Sequence, residues 1–185
     1  MRYKISFLAA TLLCGCATAS RTTLNQYRWA PECFKVTFPS DGWRFVNSLT
    51  GPGEHHELYE RRSLLCLHHD EQISATSYLP TQIGAEQASP EEVFTNVTTF
   101  LSQSYSLSVI IVERANDFIT WEWSGISKNK ASSQCGVEKV VKGTRGLYRL
   151  RYVRGSASLS PKQKRVWISA IKDARLVQSP TSPGL

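Results

Sequence analysis

This chain of 185 residues lacks most of the motifs by which a sequence declares a reaction. It has no Gly-x-Ser-x-Gly elbow to expose a serine nucleophile and no Cys-x-x-Cys pair for dithiol exchange. The helical zinc signature His-Glu-x-x-His is missing, and Gly51-Pro52-Gly53 lacks the lysine and following helix of a phosphate loop. Nothing repeats at a fixed period, which excludes solenoids and propellers. A permanent membrane helix needs roughly 18 or more apolar residues; the run from Ile5 to Leu13 is far shorter. Acidic residues nearly vanish late in the chain: from Lys128 to Arg175 only Glu138 and Asp173 remain, against thirteen Lys and Arg.

What is present begins at the amino terminus. Arg2 and Lys4 precede the apolar run, which ends in Leu13-Cys14-Gly15-Cys16. That order resembles the lipobox of bacterial lipoproteins: an aliphatic residue, a small one, glycine, then the cysteine that is acylated and becomes the new terminus. The resemblance implies diacylglycerol and palmitate on Cys16, and two or more chains hold a protein stably at a bilayer where one holds it only marginally. Ala17, rather than aspartate, follows the cysteine, which by the same resemblance points to the outer membrane, periplasmic side. An ordinary cleaved signal peptide, cut near Ala17 or Ala19, is the alternative.

The net charge of +7 conceals an asymmetry. Cys16 to Ser127 carries seven Lys and Arg against thirteen Asp and Glu, whereas the following third is strongly basic. In a cytosolic protein this would point to nucleic acid. The leader removes that partner and leaves an anionic envelope component, an acidic protein surface, or a solvated basic face. Of five cysteines, Cys14 departs with the leader and Cys16 takes the lipid. Cys66 alternates with leucines as a buried strand residue would, so Cys33 and Cys135, each opening a strand, are the candidate disulfide in an oxidising compartment.

Along the chain, Cys33 to Phe38 alternates apolar and polar residues, the period of a half-buried strand. Glu57 to Arg62, Leu64 to His69 and Ile73 to Leu79 continue as strands. Ser89-Pro90-Glu91-Glu92 then opens a helix with a capping serine, a first-turn proline and a capping-box glutamate. Val93, Phe94, Val97, Phe100 and Leu101 form its apolar face, and Ser104 its end. Leu107–Glu113, Phe118–Ser124, Val137–Lys142 and Leu147–Arg154 read as four more strands, with Ile119, Trp121 and Trp123 on one core face. Ser160-Pro161 repeats the capped opening; Val166, Trp167, Ala170, Ile171 and Ala174 make the inner face of the closing helix, with Lys164, Arg165, Lys172 and Arg175 opposite.

This pattern predicts an α+β domain with one mainly antiparallel twisted sheet and packed helices. Residues 1–15 read as signal peptide, 16–31 as lipidated terminus and tether, 32–177 as the α+β binding domain and 178–185 as a disordered tail. The strand running into Phe38-Pro39-x-x-Gly42-Trp43, the Ser-Pro-capped helix, the Gly146-x-Tyr148-x-Leu150-x-Tyr152 strand and the closing amphipathic helix resemble the PsbP-like fold, an α/β/α sandwich. That family includes photosystem lumen proteins and many small bacterial lipoproteins, mostly binding or assembly factors. The resemblance implies a non-enzyme without cofactor.

Residue chemistry supplies weaker candidates. The histidines form two pairs, His55-His56 and His68-His69. If a hairpin turned near Arg62, His56 and His69 could share a face as metal ligands; adjacent strand residues point to opposite faces, so no more than two of the four converge. Glu113, Asp117 and Glu122 fall in one hairpin, a spacing open to glycoside chemistry or to simple ion pairing. The partner-binding candidates are Arg149, Arg151, Lys164, Arg165 and Lys172; whether they make one patch depends on which sheet face the closing helix covers. The reading reached is an outer-membrane-anchored periplasmic lipoprotein acting as a non-catalytic binding or assembly module, possible as an oligomer. A structural subunit of an envelope-spanning secretion complex and a metal-dependent periplasmic hydrolase are the alternatives.

Overall fold

A computed structural model describes residues 21–24, 32–39, 42–51, 53–61, 71–79, 88–155 and 159–178. The leader with Cys16, the segment holding Cys66 and His68-His69, and residues 179–185 lie outside the described residues.

The elements in order are β1 (Arg21–Leu24), β2 (Glu32–Thr37), β3 (Trp43–Gly51), β4 (Glu54–Arg61), β5 (Glu71–Tyr78), α1 (Pro90–Ser104), β6 (Tyr105–Arg114), β7 (Phe118–Ser127), β8 (Ser133–Lys142), β9 (Leu147–Arg154), α2 (Pro161–Asp173) and β10 (Arg175–Gln178). The fold is α+β, as the sequence implies. The single sheet is corrected to two. A seven-stranded sheet runs β3-β4-β5-β9-β8-β7-β6, antiparallel throughout, and a three-stranded sheet runs β1-β2-β10. Alternation identifies β2 as a strand but does not name its partners. These prove to be β1, inside the stretch read as a polar tether, and β10, in the stretch read as helix end and tail. Arg175 therefore lies on β10 rather than on the helix face, and Gln178 is strand rather than tail.

Both helices start as their sequences require. In α1 the Glu92 amide donates to Ser89 Oγ at 3.1 Å, and the Ser89 amide donates to Glu92 Oε2 at 2.6 Å. In α2 the Gln163 amide donates to Ser160 Oγ at 3.3 Å, and Gln163 Oε1 accepts from the Ser160 amide at 3.2 Å. Each box satisfies two amides that the first turn leaves open.

The helices cover opposite faces of the large sheet. Under α1, Leu101 meets Ile119, Trp121 and Trp123, and Phe94 packs edge-on against Trp121 with centroids 5.1 Å apart. Phe100, expected on this face, is 68% exposed; at 100° per residue it stands a quarter-turn from Leu101, off the edge of the apolar arc. Under α2, Trp167, Ile171 and Ala174 close over Val137, Leu150 and Tyr152, with Phe34 and Val36 of β2, and Phe38 just after it, alongside. Tyr152 stacks on Trp167 at 3.8 Å, and Trp43 meets Trp167 edge-on at 5.7 Å. Such pairs contribute about 0.5–1.5 kcal/mol each beyond their buried area. Val166 is exposed, displaced from the α2 core by the same rotation that excludes Phe100.

Candidate functional site

The two faces of β9 divide the basic residues. Tyr148, Leu150 and Tyr152 enter the core under α2, so Arg149 and Arg151 point to the α1 side with Leu147 and Val153. On that side the register sets Glu138 of β8 opposite Arg151 and Trp121 of β7 opposite Glu138.

Glu138 is fully buried, with 0% exposure, and its oxygens are held from three directions. Trp123 Nε1 donates to Oε1 at 2.7 Å. Arg149 Nε donates to Oε2 at 2.8 Å, and its Nη2 lies 2.6 Å from the same oxygen. Arg151 Nε lies 3.3 Å from Oε1, close enough to pair but without hydrogen-bond alignment. The Arg151 guanidinium also rides 5.5 Å from the Trp123 ring centroid, a cation–π contact. Gly136 makes this arrangement possible. A Cβ there would stand 2.9 Å from Trp123 Nε1 and 2.5 Å from the Tyr152 carbonyl oxygen, so any other residue forces the β9 backbone, the indole or both to shift.

Among the described residues, two guanidiniums thus share one carboxylate. The Arg149 side chain is 16% exposed and bonded to Glu138 through two nitrogens; the Arg151 side chain is 29% exposed. Burial pushes the Arg151 guanidinium below its usual range; Glu138 opposes that shift, and the neighbouring Arg149 charge adds to it. A charge removed from water without a full counter-charge attracts one from outside. The surroundings are polar: Ser74 is the cross-strand neighbour of Arg151, and Thr76 that of Arg149. Leu58 and His56 follow on β4. Because α1 packs on β6, β7 and β8, this strip over β4, β5 and β9 lies beside the helix.

His56 belongs to the strip, beside Thr76 and the two arginines. Its Nδ1 lies 2.8 Å from Thr76 Oγ1. Burial lowers its pKa, Glu54 pulls the other way, and Arg149 and Arg151 push it further down. Two guanidiniums also repel a cation. The register pairs His56 with Thr76, and Arg61 with Glu71; His69 lies outside the described residues. Among the described residues, no group of three His, Cys, Asp or Glu is placed to hold a metal.

The remaining basic candidates occupy the opposite face. Lys164 Nζ lies 2.6 Å from Glu122 Oε1, and Lys172 Nζ 3.7 Å from Glu113 Oε2; Arg165 is exposed on α2. The five basic residues therefore form two groups rather than one patch. Glu113 and Glu122 of the carboxylate hairpin thus each meet a lysine of α2. The other buried acids are also tied: Glu32 Oε2 accepts from the Thr144 amide at 2.8 Å, Glu57 Oε2 from the Tyr59 hydroxyl at 2.9 Å, and Glu71 Oε1 from the Tyr152 hydroxyl at 3.0 Å.

Cys33 and Cys135 are free, buried thiols, which corrects the expected disulfide. Cys135 sits on β8 opposite Arg154, whereas Cys33 has Glu57 and Glu32 as its charged neighbours and lies near Tyr148, at the other end of β9. Six strand positions take the chain from Tyr148 to Arg154, about 20 Å, and a disulfide tolerates a Cα separation of no more than about 7 Å.

Sequence reasoning found Arg149 and Arg151 but not the group that organises them. Glu138 stood out only as one of two acids in a basic third; its place inside an apolar strand, Val137-Glu138-Lys139-Val140, was the available signal. No family model matches this chain, and no curated protein sequence matches it either.

Proposed function

We propose that this chain is a lipid-anchored, non-catalytic binding module on the periplasmic side of the outer membrane, and that the strip around Arg149 and Arg151 receives a carboxylate-rich segment of a partner protein. The carrying observation is the charge imbalance at Glu138: two guanidiniums, one carboxylate, and a partly exposed Arg151. Guanidinium groups recognise carboxylates through paired, charge-assisted hydrogen bonds. The strip adds the Ser74 hydroxyl, on the cross-strand neighbour of Arg151, and charge complementarity gives specificity and encounter rate to association. Cys16, within Leu13-Cys14-Gly15-Cys16, supplies the anchor. The helix on each side of an antiparallel sheet supports the PsbP-like reading of the fold, and with it a role in binding or assembly.

A titration of full-length protein in detergent with a Glu- and Asp-rich peptide tests this. Saturable binding that weakens with salt and is lost in Arg151→Gln supports the reading. Equal binding by Arg151→Gln, with its fold intact by circular dichroism, overturns it.

A structural subunit of an envelope-spanning complex is the second reading. The observation favouring it is the exposed apolar edge at each end of the large sheet: Phe45 and Leu49 on β3, Ile110 and Ile111 on β6. Open edge strands pair with other chains unless guarded. A concentration-independent monomer in light scattering argues against obligate assembly of this chain alone.

A further inference from the structure

On the α2 side of the large sheet, away from the arginine strip, β6, β7 and β8 form the floor of a cavity of about 160 Å³ whose walls include Leu159 and Lys164. Strand alternation puts Ser108, Glu122, Ser124 and Cys135 into this floor. Glu122 is the unusual member. It is 8% exposed, its Oε1 is held by Lys164, and its Oε2 is buried without a hydrogen-bond partner among the described residues. An unpaired carboxylate oxygen in such a place carries a desolvation penalty that a donor entering the cavity would relieve.

We propose that this cavity is a binding site for a small neutral polyol, with one hydroxyl donating to Glu122 Oε2. Charge selects the ligand class. Lys164 already neutralises Glu122, so a second cation would leave an uncompensated charge in a partly buried site. An anion would face the free carboxylate oxygen and be repelled. A hydroxyl donates to Glu122 without changing the charge, and Ser108 and Ser124 can both donate to and accept from neighbouring hydroxyls. The volume equals about five waters at roughly 30 Å³ each, enough for a four-carbon polyol or one edge of a sugar ring. Lys164 is 45% exposed along its side chain, so it forms a movable rim rather than part of the floor.

The test is a backbone-amide chemical-shift titration of the full chain in detergent with erythritol, using ethylammonium chloride and sodium acetate as charged probes of small size. The site predicts saturable erythritol shifts at the amides of Ser108, Ser124 and Gly136, and weaker responses to both ions. Glu122→Leu should weaken binding at least tenfold, the effect of losing one hydrogen bond to a charged group. Ser124→Ala, a milder change on a half-buried strand residue, should weaken it severalfold and decides the matter if Glu122→Leu fails to fold. Absence of saturation, a preference for ethylammonium, or unchanged binding in the folded variants overturns the proposal.

Discussion

The indole nitrogen of Trp123 donates to Glu138 Oε1 across 2.7 Å of buried space, joining the α1 core to the arginine strip. Trp123 does two jobs at once. Its ring packs with Trp121 and Ile119 beneath Leu101, and its one polar atom completes the shell of the carboxylate that both arginines need. Exchanging only the N–H separates these jobs. Trp123→3-benzothienylalanine, which puts sulfur in place of the N–H in the same bicyclic ring, should lower the unfolding free energy by about 1–3 kcal/mol, the penalty for a buried acceptor losing its partner. Glu138→Gln should cost more, about 3–5 kcal/mol, because two partly buried guanidiniums then lack a counter-charge. Urea unfolding with unchanged slope measures both; equal and small losses would contradict the arrangement.

A second prediction concerns the end of α2. Lys139 Nζ donates to the carbonyl oxygens of Lys172 at 2.6 Å and Ala174 at 2.8 Å. A cation here satisfies carbonyls that a helix leaves open and meets the negative end of its dipole. Lys139→Met keeps the length and apolar stem, so the loss should come from the two hydrogen bonds, about 1–3 kcal/mol. Hydrogen exchange should quicken at the last turn of α2 and in β10 before it quickens elsewhere.

The neutral state of His56 carries a pH signature. Burial depresses its pKa below the ordinary 6.5, Glu54 opposes that shift, and Arg149 and Arg151 add smaller depressions. The folded state therefore binds a proton less readily than the unfolded chain. The associated stability is fully present above pH 6.5 and is lost as pH falls through that value toward the depressed folded pKa. In urea midpoints at pH 7.5 and 5.5, wild type should lose more stability than His56→Gln. Identical losses would show that His56 does not titrate against the arginines.

The free thiols supply a fourth prediction. Burial, and then the Glu57 and Glu32 charges, raise the Cys33 thiol to about 11; burial also raises Cys135. Both should resist alkylation in the folded protein at neutral pH, because the thiolate is the reactive form. Both should label without reductant once the chain is unfolded. A Cys33–Cys135 bridged peptide in a non-reducing digest would contradict the placement.

The features legible in the sequence were those set by local chemistry. Ser89-Pro90-Glu92 and Ser160-Pro161-Gln163 announce their helices because a cap needs only neighbours three residues apart. Trp121 and Trp123 read as core because alternation places them on a face with Ile119. Pairing between distant segments was not legible. The four residues of β1 carry no alternating pattern, and β10 begins where a helical stripe still seems to run, so the second sheet stayed hidden. The same limit applied at the site. Arg149 and Arg151 were visible as charges on one side of a strand, but their convergence on Glu138 depends on the β8–β9 register and on Gly136 admitting the Trp123 ring, both tertiary facts.

The arginine strip should capture an acidic partner at the membrane. A photo-reactive residue replacing Ser74, the cross-strand neighbour of Arg151, tests this in the native envelope, with the adduct digested and sequenced. The prediction is one dominant adduct at an Asp- and Glu-rich protein segment, lost in the Arg151→Gln background and displaced when Cys16→Ser releases the chain from the membrane. An adduct at lipid, or one that persists unchanged with Arg151→Gln, would contradict it.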